Sequence, residues 1–261
     1  MHDLSSSPPG PEPAAPPPLL SVAGDARGWS LFLDFDGTLV DLAPTPEAIV
    51  VPPRLPSLLQ SLSVRFDGAL AVVTGRSLSN LDRHLGLSLP AAGQHGAQWR
   101  FRPGQAAAEE PLPALDAARH RVRELAEAWP ALVVEDKGST LAVHYRGAPE
   151  AGRDVDAVLA GLAQASPDTL EVVRGKSVCE IRPAGVNKGA ALEAFLHEPP
   201  FAGRLPLMVG DDVTDEAGFV AALNAGGTAI KVGEGESCAP WRLPAPQAVR
   251  TWLSAALEER G

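Results

Sequence analysis

Two aspartates, one residue apart, follow a short apolar run near the start of the chain. The run Leu31–Phe35 has the length of a strand, and Asp34 and Asp36 lead from it into the turn Gly37-Thr38. Open α/β sheets bind ligands at the carboxyl ends of their strands, so these carboxylates lie where a site is expected. Such a turn could supply a nucleophile, a proton donor and metal ligands, which phosphoryl transfer requires. Asp and Gly also form ordinary surface turns, so the pair alone does not decide the matter.

Three further polar positions end other apolar runs or begin a helix. Thr74-Gly75 ends a second apolar run, and Asp211-Asp212 ends the run Leu205–Val209. Lys188 stands in the first turn of a helix pattern that Asn187 would cap. Taken singly, each has an ordinary structural reading as a strand exit, a helix cap or a solvated lysine. Their order along the chain, at strand ends, favours a single active-site edge.

Each of these groups has a physical role in phosphoryl transfer. Asp34 would attack phosphorus and form an aspartyl phosphate. Asp36 would protonate the leaving sugar oxygen and then deprotonate the water that hydrolyses the intermediate. Thr74 and Gly75 would donate hydrogen bonds to a phosphoryl oxygen, and Lys188 would balance charge between nucleophile and phosphate.

A divalent cation is the expected cofactor. Asp211, together with Asp34 and the carbonyl oxygen of Asp36, would give an oxygen-only shell suited to Mg²⁺. The choice of Mg²⁺ over Mn²⁺ or Co²⁺ rests on its preference for hard oxygen ligands and on its availability.

Strand and helix patterns alternate at both ends of the chain and change in the middle. The outer parts contain four apolar strand patterns and a helix pattern with leucines on one face: Leu31–Phe35, Ala69–Val73, Leu205–Val209, Ala229–Val232, and the helix of Leu55, Leu58, Leu59 and Leu62. This alternation predicts an α/β fold, a parallel sheet with helices on both faces. The middle reads helix, hairpin, helix, hairpin, which predicts an inserted α+β cap. We therefore predict a core of residues 28–103 and 185–261, a cap of residues 104–184 and a disordered Pro-rich tail at residues 1–27.

Composition narrows the classes of partner. The chain has 261 residues, 45% of them hydrophobic, and a formal net charge of −10, which argues against nucleic acid as a partner. It has two distant cysteines and no apolar run long enough to span a membrane. No secretory signal is visible at the N-terminus. We predict a cytoplasmic monomer that binds a small molecule and neither nucleic acid nor membrane.

The strands of the predicted cap carry polar residues on one face. Alternation places Leu141 and Val143 opposite His144, and Cys179 and Ile181 opposite the pair Glu180 and Arg182. Acids beside bases fit a polyhydroxyl ligand, because carboxylates accept from sugar hydroxyls and cations donate to sugar oxygens. A solvated sheet face with cross-strand ion pairs would show the same pattern.

Asp34-x-Asp36-Gly37-Thr38, Thr74, Lys188 and Asp211-Asp212, in this order, resemble the four motifs of the haloacid dehalogenase (HAD) superfamily of phosphotransferases. The resemblance implies a HAD-type Rossmannoid core. It also implies Asp34 as nucleophile, Asp36 as general acid and base, and Lys188 as the orienting lysine. Thr74 would bind phosphate and Asp211 the metal. Asp212 and Asp215 are similar to the accessory acids of the last motif, which bind through water or position the lysine.

Segments outside those motifs resemble the trehalose-6-phosphate phosphatase family: Gly93-Gln94-His95-Gly96, Glu135-Asp136-Lys137-Gly138, Val143-His144-Tyr145-Arg146, Gly175-Lys176, Glu180-Ile181-Arg182-Pro183, Asn187-Lys188-Gly189 and Gly210-Asp211-Asp212-Val213-Thr214-Asp215-Glu216. This implies Mg²⁺-dependent hydrolysis of trehalose 6-phosphate, with Glu135, Lys137 and Glu180 holding the distal glucose from the cap. Arg182 and Asn187 match family positions, and with Thr74, Gly75 and Arg76 they complete the predicted substrate-binding residues.

Two other functions stay open from the sequence. One is another capped HAD sugar phosphatase, acting on sucrose 6-phosphate or mannosyl-3-phosphoglycerate. The other is a non-catalytic sugar-phosphate sensor, which would be expected to lack the nucleophile or the lysine. One departure from the family is Gln98, which stands where the motif Gly-x-His-Gly-x-Glu has an acid. His95 could be a ligand residue or a structural histidine at the hinge.

Overall fold

The structure describes two residues of the predicted tail. The computed structural model describes residues 26–43, 45–109, 113–175 and 177–258. Of the predicted tail, residues 1–25 lie outside the described residues, as does Lys176. The last two tail residues, Ala26 and Arg27, instead belong to a 3-10 turn, Ala26–Gly28, because Ala26 is buried against the apolar core.

Twelve strands and seven α-helices make up the described part of the chain. The strands are β1 Trp29–Leu33, β2 Leu70–Val73, β3 Ala91–Gly93, β4 Gln98–Arg100, β5 Ala108–Glu109, β6 Val133–Asp136, β7 Leu141–His144, β8 Leu170–Gly175, β9 Val178–Pro183, β10 Leu205–Gly210, β11 Thr228–Val232 and β12 Trp241–Leu243. The helices are α1 Leu55–Arg65, α2 Leu78–Leu85, α3 Pro113–Ala128, α4 Gly152–Ala165, α5 Lys188–Leu196, α6 Glu216–Asn224 and α7 Pro246–Glu258.

Eight strands form a mostly parallel sheet in the order β12-β11-β10-β1-β2-β3-β4-β5. The pairs from β12 to β3 are parallel, as predicted, while β4 and β5 add an antiparallel edge. That edge escaped prediction because its strands are only three and two residues long, too short to show a period. β5 lies in this sheet although its residues follow the predicted boundary at residue 103.

Helices cover both faces of the large sheet. Leu31 and Leu33 point into one apolar cluster with α1, α2 and α7, while Phe32 points into a second with α5 and α6. All three side chains are fully buried. Burying each contributes about 1.5–3 kcal/mol, which explains why a five-residue strand can be fixed at the centre of the sheet.

A second sheet contains β6, β7, β9 and β8 in that order, and all its pairs are antiparallel. One face packs on α3 and α4 through Val143 and Ile181, as the alternation predicts. Its other face carries Glu135, His144 and Glu180. This sheet is consistent with an inserted cap, and the boundaries at residues 103/104 and 184/185 stay a prediction.

The topology brings the candidate residues to one edge. β10 and β2 flank β1, with Leu33 level with Val209 and Val72. Asp34 follows β1, Thr74 follows β2 and Asp211 follows β10, so three segments far apart in sequence meet at adjacent strand ends. Within the described residues, no helix is both long and apolar enough to cross a membrane.

Candidate active site

The turn after β1 is held tightly against the turn after β10. Asp34 is 4% exposed, and its N–H donates to the Val209 carbonyl at 2.9 Å. Gly37 has φ +75°, and a Cβ atom there would overlap the carboxylate of Asp211. Only glycine can adopt this backbone conformation and also lie so close to the carboxylate of Asp211. This requirement explains the glycine of the Asp-x-Asp-Gly sequence.

Lys188 joins two carboxylates from different segments. Its Nζ donates to Oδ1 of Asp34 and to Oδ1 of Asp215, each at 2.6 Å, and it is 3% exposed. Burial opposes the charged ammonium, but the attraction of Asp34 and then Asp215 outweighs it and raises the pKa of Lys188. The lysine is therefore a fixed cation beside the predicted nucleophile.

Asn187 places that lysine at the start of α5. Its side-chain oxygen accepts from the N–H groups of Gly189 and Ala190 at 2.9 and 3.0 Å, as the capping reading predicts. The geometry thus shows a helix cap, and its predicted contact with substrate stays a prediction.

Asp215 fixes the turn that carries Asp211. It is fully buried, and its Oδ2 accepts from the N–H groups of Asp211 and Asp212 at 3.0 and 2.9 Å. Burial and then the charge of Asp34 raise its pKa to about 6, against the opposing effect of Lys188. Asp212 caps the following turn through Val213 N–H at 2.7 Å, so the ordinary capping role is also present.

Carboxylate oxygens of Asp34, Asp211 and Asp215 come within 4.8 Å of one another. Burial raises the pKa of Asp34 to about 6, and burial followed by the charges of Asp215 and Asp212 raises the pKa of Asp211. Both oxygens of Asp215 are already engaged, which leaves Asp34 and Asp211 as the carboxylates suited to a cation. An oxygen-only donor set with excess negative charge fits Mg²⁺.

The Asp36 side chain points to a different partner. Arg76 donates from Nε to Oδ2 at 2.6 Å and from Nη2 to Oδ1 at 2.7 Å, and from Nη1 to Oδ1 of Asn80 at 2.7 Å. The sequence singled out Arg76 but missed Asn80, whose only signal is its helical spacing of four residues from Arg76.

Thr74 and Gly75, the predicted phosphate-binding residues, lie next to His95. Thr74 is fully buried, and its Oγ1 accepts from the N–H of Arg76 at 3.2 Å. A Cβ atom on Gly75 would lie 2.8 Å from the His95 ring, so glycine is needed there as well. Burial and then the charge of Lys188 lower the pKa of His95 to about 4, which makes it a neutral imidazole at ordinary pH.

The cap contributes a second polar group. Nζ of Lys137 lies 3.7 Å from Oε1 of Glu180 and 3.9 Å from Oε2 of Glu135, and His144 Nε2 lies 3.3 Å from Oε2 of Glu135. Gln94, which the sequence analysis names only within the segment Gly93-Gln94-His95-Gly96 and without a role, donates from the core side to the Lys137 carbonyl. Arg182 is instead paired within the cap sheet, with Glu171 at 2.6 Å.

A cavity of about 590 Å³ separates the two groups. Asp36, Gly75 and Arg76 line it from the core, and Glu135 and Lys137 line it from the second sheet. The cavity thus brings the Asp36–Arg76 pair together with hydrogen-bonding side chains of the second sheet.

The sequence model described as Trehalose-phosphatase matches residues 32–246. The chain belongs to the trehalose-phosphatase family. It is similar to a probable trehalose-phosphate phosphatase from Sinorhizobium fredii (strain NBRC 101917 / NGR234), with 41% identity over 241 residues, 91% of each chain. It is 36% identical over 250 residues to trehalose-6-phosphate phosphatase of Escherichia coli (strain K12), which covers 93% of each chain.

Solved structures agree with this membership. A trehalose-6-phosphate phosphatase related protein matches with TM-score 0.70 and 31% identity, over 87% of this chain and 97% of the other. The C-terminal domain of the Candida albicans trehalose-6-phosphate phosphatase shares the fold with TM-score 0.73 at 22% identity, over 95% of this chain and 98% of the other. The predicted family, the α/β HAD-type fold and the prediction of a phosphatase enzyme are confirmed.

The departure from the family motif at Gln98 has a structural role. Its Oε1 accepts from the N–H of Leu78, the first residue of α2, at 3.0 Å. A free helix N–H needs an acceptor rather than a full charge, and glutamine supplies one.

Proposed function

We propose that this phosphatase hydrolyses trehalose 6-phosphate to trehalose and phosphate, with Mg²⁺ and through an aspartyl-phosphate intermediate. The observation that carries the proposal is the cavity that Asp36, Gly75 and Arg76 line together with Glu135 and Lys137 of the second sheet. Family membership favours trehalose 6-phosphate over sucrose 6-phosphate or mannosyl-3-phosphoglycerate. A silent sensor would be expected to lack the nucleophile or the lysine. This chain has both, with Nζ of Lys188 2.6 Å from Oδ1 of Asp34.

In the first step, a carboxylate oxygen of Asp34 attacks phosphorus and the bond from phosphorus to the sugar oxygen breaks. Lys188 holds Oδ1 of Asp34 and offsets the charge of the phosphoryl group. Thr74 and Gly75 donate to phosphoryl oxygens, and Asp36 gives a proton to the sugar oxygen.

In the second step, Asp36 takes a proton from water, which attacks the phosphorus of the aspartyl phosphate and releases inorganic phosphate. The same carboxyl thus returns to its protonated form. Asp34 and Asp211, with the Asp36 carbonyl, would hold Mg²⁺, which when bound supplies positive charge that stabilises the phosphoryl oxygens.

The distal glucose would lie against the cap. Glu135 and Glu180 accept from sugar hydroxyls, and Lys137, held near both carboxylates, donates to sugar oxygens. The cytoplasmic location, the monomeric state and the absence of nucleic-acid or membrane partners stay predictions.

Phosphate release from a panel of sugar phosphates tests the substrate. The panel contains trehalose 6-phosphate, sucrose 6-phosphate, glucose 6-phosphate and mannosyl-3-phosphoglycerate, each with Mg²⁺ and with a chelator. We expect metal-dependent release from trehalose 6-phosphate above all others. Preference for another member would overturn the substrate, and no release by folded protein would favour the sensor.

Asp34→Asn tests the intermediate. The amide is not a nucleophile, so turnover should fall at least about 1,000-fold while the circular dichroism spectrum is kept. Asp168→Asn, an exposed acid of the cap region, is the control and should retain full activity. Phosphate release retained by Asp34→Asn would remove Asp34 from the nucleophile role.

A further inference from the structure

The predicted acid and base, Asp36, is held by a fixed guanidinium. The side chain of Arg76 is 8% exposed and that of Asp36 is 30% exposed. Asn80 holds the far side of the guanidinium, and the Phe35 ring lies 5.8 Å from its central carbon. Asp36 therefore has one well-defined partner.

This pairing conflicts with the first chemical step. Both oxygens of Asp36 accept from N–H groups of Arg76, at 2.6 and 2.7 Å. A guanidinium has no acceptor atom, so Arg76 only donates to these oxygens and cannot take a proton from them. While the pair is intact, both Asp36 oxygens are directed at Arg76 rather than at a leaving oxygen.

Arg76 also lies beside the place where a phosphoryl group would bind. It follows Thr74-Gly75 directly, its N–H donates to Thr74, and it lines the cavity together with Asp36. A phosphoryl group offers the same pair of acceptor oxygens as a carboxylate and carries more charge. It is a natural competitor for the same two N–H groups.

We propose that Arg76 exchanges the Asp36 carboxylate for the phosphoryl group of the substrate, and that this exchange releases the acid and base for catalysis. Arg76 is then a positioning residue that keeps Asp36 inactive until a phosphate ester is bound. The inference rests on the proposed role of Asp36 in hydrolysis.

Inhibition by inorganic phosphate provides the first test. Losing a charge-assisted hydrogen bond to phosphate should raise the inhibition constant about 10- to 100-fold in Arg76→Met. The KM values for trehalose 6-phosphate and p-nitrophenyl phosphate should rise by the same factor, because both carry the same phosphoryl group. Arg76→Lys should recover part of the loss.

Arg83→Met is the matched control, because Arg83 is an exposed arginine at the end of the same helix as Asn80. It should leave all three constants within about twofold of the parent. If Arg76→Met lowers kcat alone and leaves KM and phosphate inhibition unchanged, Arg76 stays on Asp36 throughout and the exchange is wrong.

The Nε–H resonance of Arg76 in an NMR spectrum gives a direct readout without turnover. We expect it to move in Asp36→Asn, and to move in the parent when inorganic phosphate is titrated in with Mg²⁺. An unmoved resonance, while calorimetry shows that phosphate binds, would overturn the exchange. That result would leave the proposed hydrolysis standing, since the sugar-phosphate panel tests it separately.

Discussion

At the scale of single residues, the most demanding position is Lys188, a cation with almost no contact with water. Its charge is balanced by Asp34 and Asp215, and the three groups come from helix α5 and two different turns. Removing one partner of a buried ion pair leaves an uncompensated charge, which costs far more than the pair itself contributes. The residue therefore links the proposed catalysis to stability.

Lys188→Met should lower the free energy of unfolding by about 3–5 kcal/mol and abolish turnover. Lys137→Met is the control for stability, because the side chain of Lys137 is 27% exposed and its ion pairs are longer. Lys137→Met should lower the free energy of unfolding by less than about 1 kcal/mol. Urea unfolding of both variants measures the difference, and equal costs would contradict the buried-pair account.

His95 predicts a pH dependence of stability. Its pKa is about 4 in the folded chain and about 6.5 when unfolded, so the unfolded chain binds more protons as pH falls through 6.5. Stability from the neutral imidazole is thus present above pH 6.5 and is lost below it. Relative to His95→Asn, the parent should lose about 2 kcal/mol between pH 7 and pH 5.

Asparagine is the suitable replacement because residue 95 has φ +58°, which asparagine tolerates better than most residues. Urea unfolding at several pH values, in chelator, isolates the effect as a difference between parent and variant. If the free energy of unfolding changed with pH equally in parent and variant, the pKa of His95 would be the same in the folded and unfolded chain.

At the scale of elements, the turn after β1 depends on Gly37. Gly37→Ala places a methyl group against Asp211, and it also imposes a left-handed backbone on alanine, which costs about 1–2 kcal/mol. We expect Mg²⁺ affinity, measured by calorimetry, to fall at least about 10-fold.

Gly86→Ala separates the two effects. Gly86 ends α2 with φ +62°, and a Cβ atom there would meet nothing within 4 Å. Gly86→Ala should lower the free energy of unfolding by about as much as Gly37→Ala but leave Mg²⁺ affinity unchanged. An equal loss of affinity in both variants would mean that the turn acts through global stability alone.

The elements that the sequence predicted best are the ones with long apolar runs and sharp polar ends. β1, β2 and β10 have both, so the amino-acid pattern alone assigns their residues to one edge. Two contacts could not be predicted: the hydrogen bond between Arg76 and Asn80, and the hydrogen bond from Gln94 to the cap. These contacts depend on the positions of a loop and of the second sheet in the folded chain. The residues that form them show no periodic pattern in the sequence.

At the scale of the whole molecule, the second sheet should set which phosphate ester is used. Glu180→Ala removes the proposed acceptor for the distal glucose, so KM for trehalose 6-phosphate should rise at least about 10-fold. KM for p-nitrophenyl phosphate, which has no sugar, should change less than about twofold. An equal loss on both substrates would mean that Glu180 acts through the fold.

Glu150→Ala is the control in this experiment. Glu150 is an exposed acid in the turn before α4, so removing it changes the net charge by the same amount. Both KM values should stay as in the parent.

The sheet order also fixes when the catalytic edge can exist during synthesis. Ser30 in β1 donates to Leu205 in β10, which follows 175 residues later in the chain. At 5–20 residues per second, β1 is synthesised about 9–35 s before its neighbour β10. The strands of the second sheet all lie between those two strands, and Lys188 also precedes β10, so both are synthesised before the turn that carries Asp211 and Asp215. A nascent chain stalled before β10 therefore carries the complete second sheet and Lys188, but neither Asp211 nor Asp215, the second partner of that lysine.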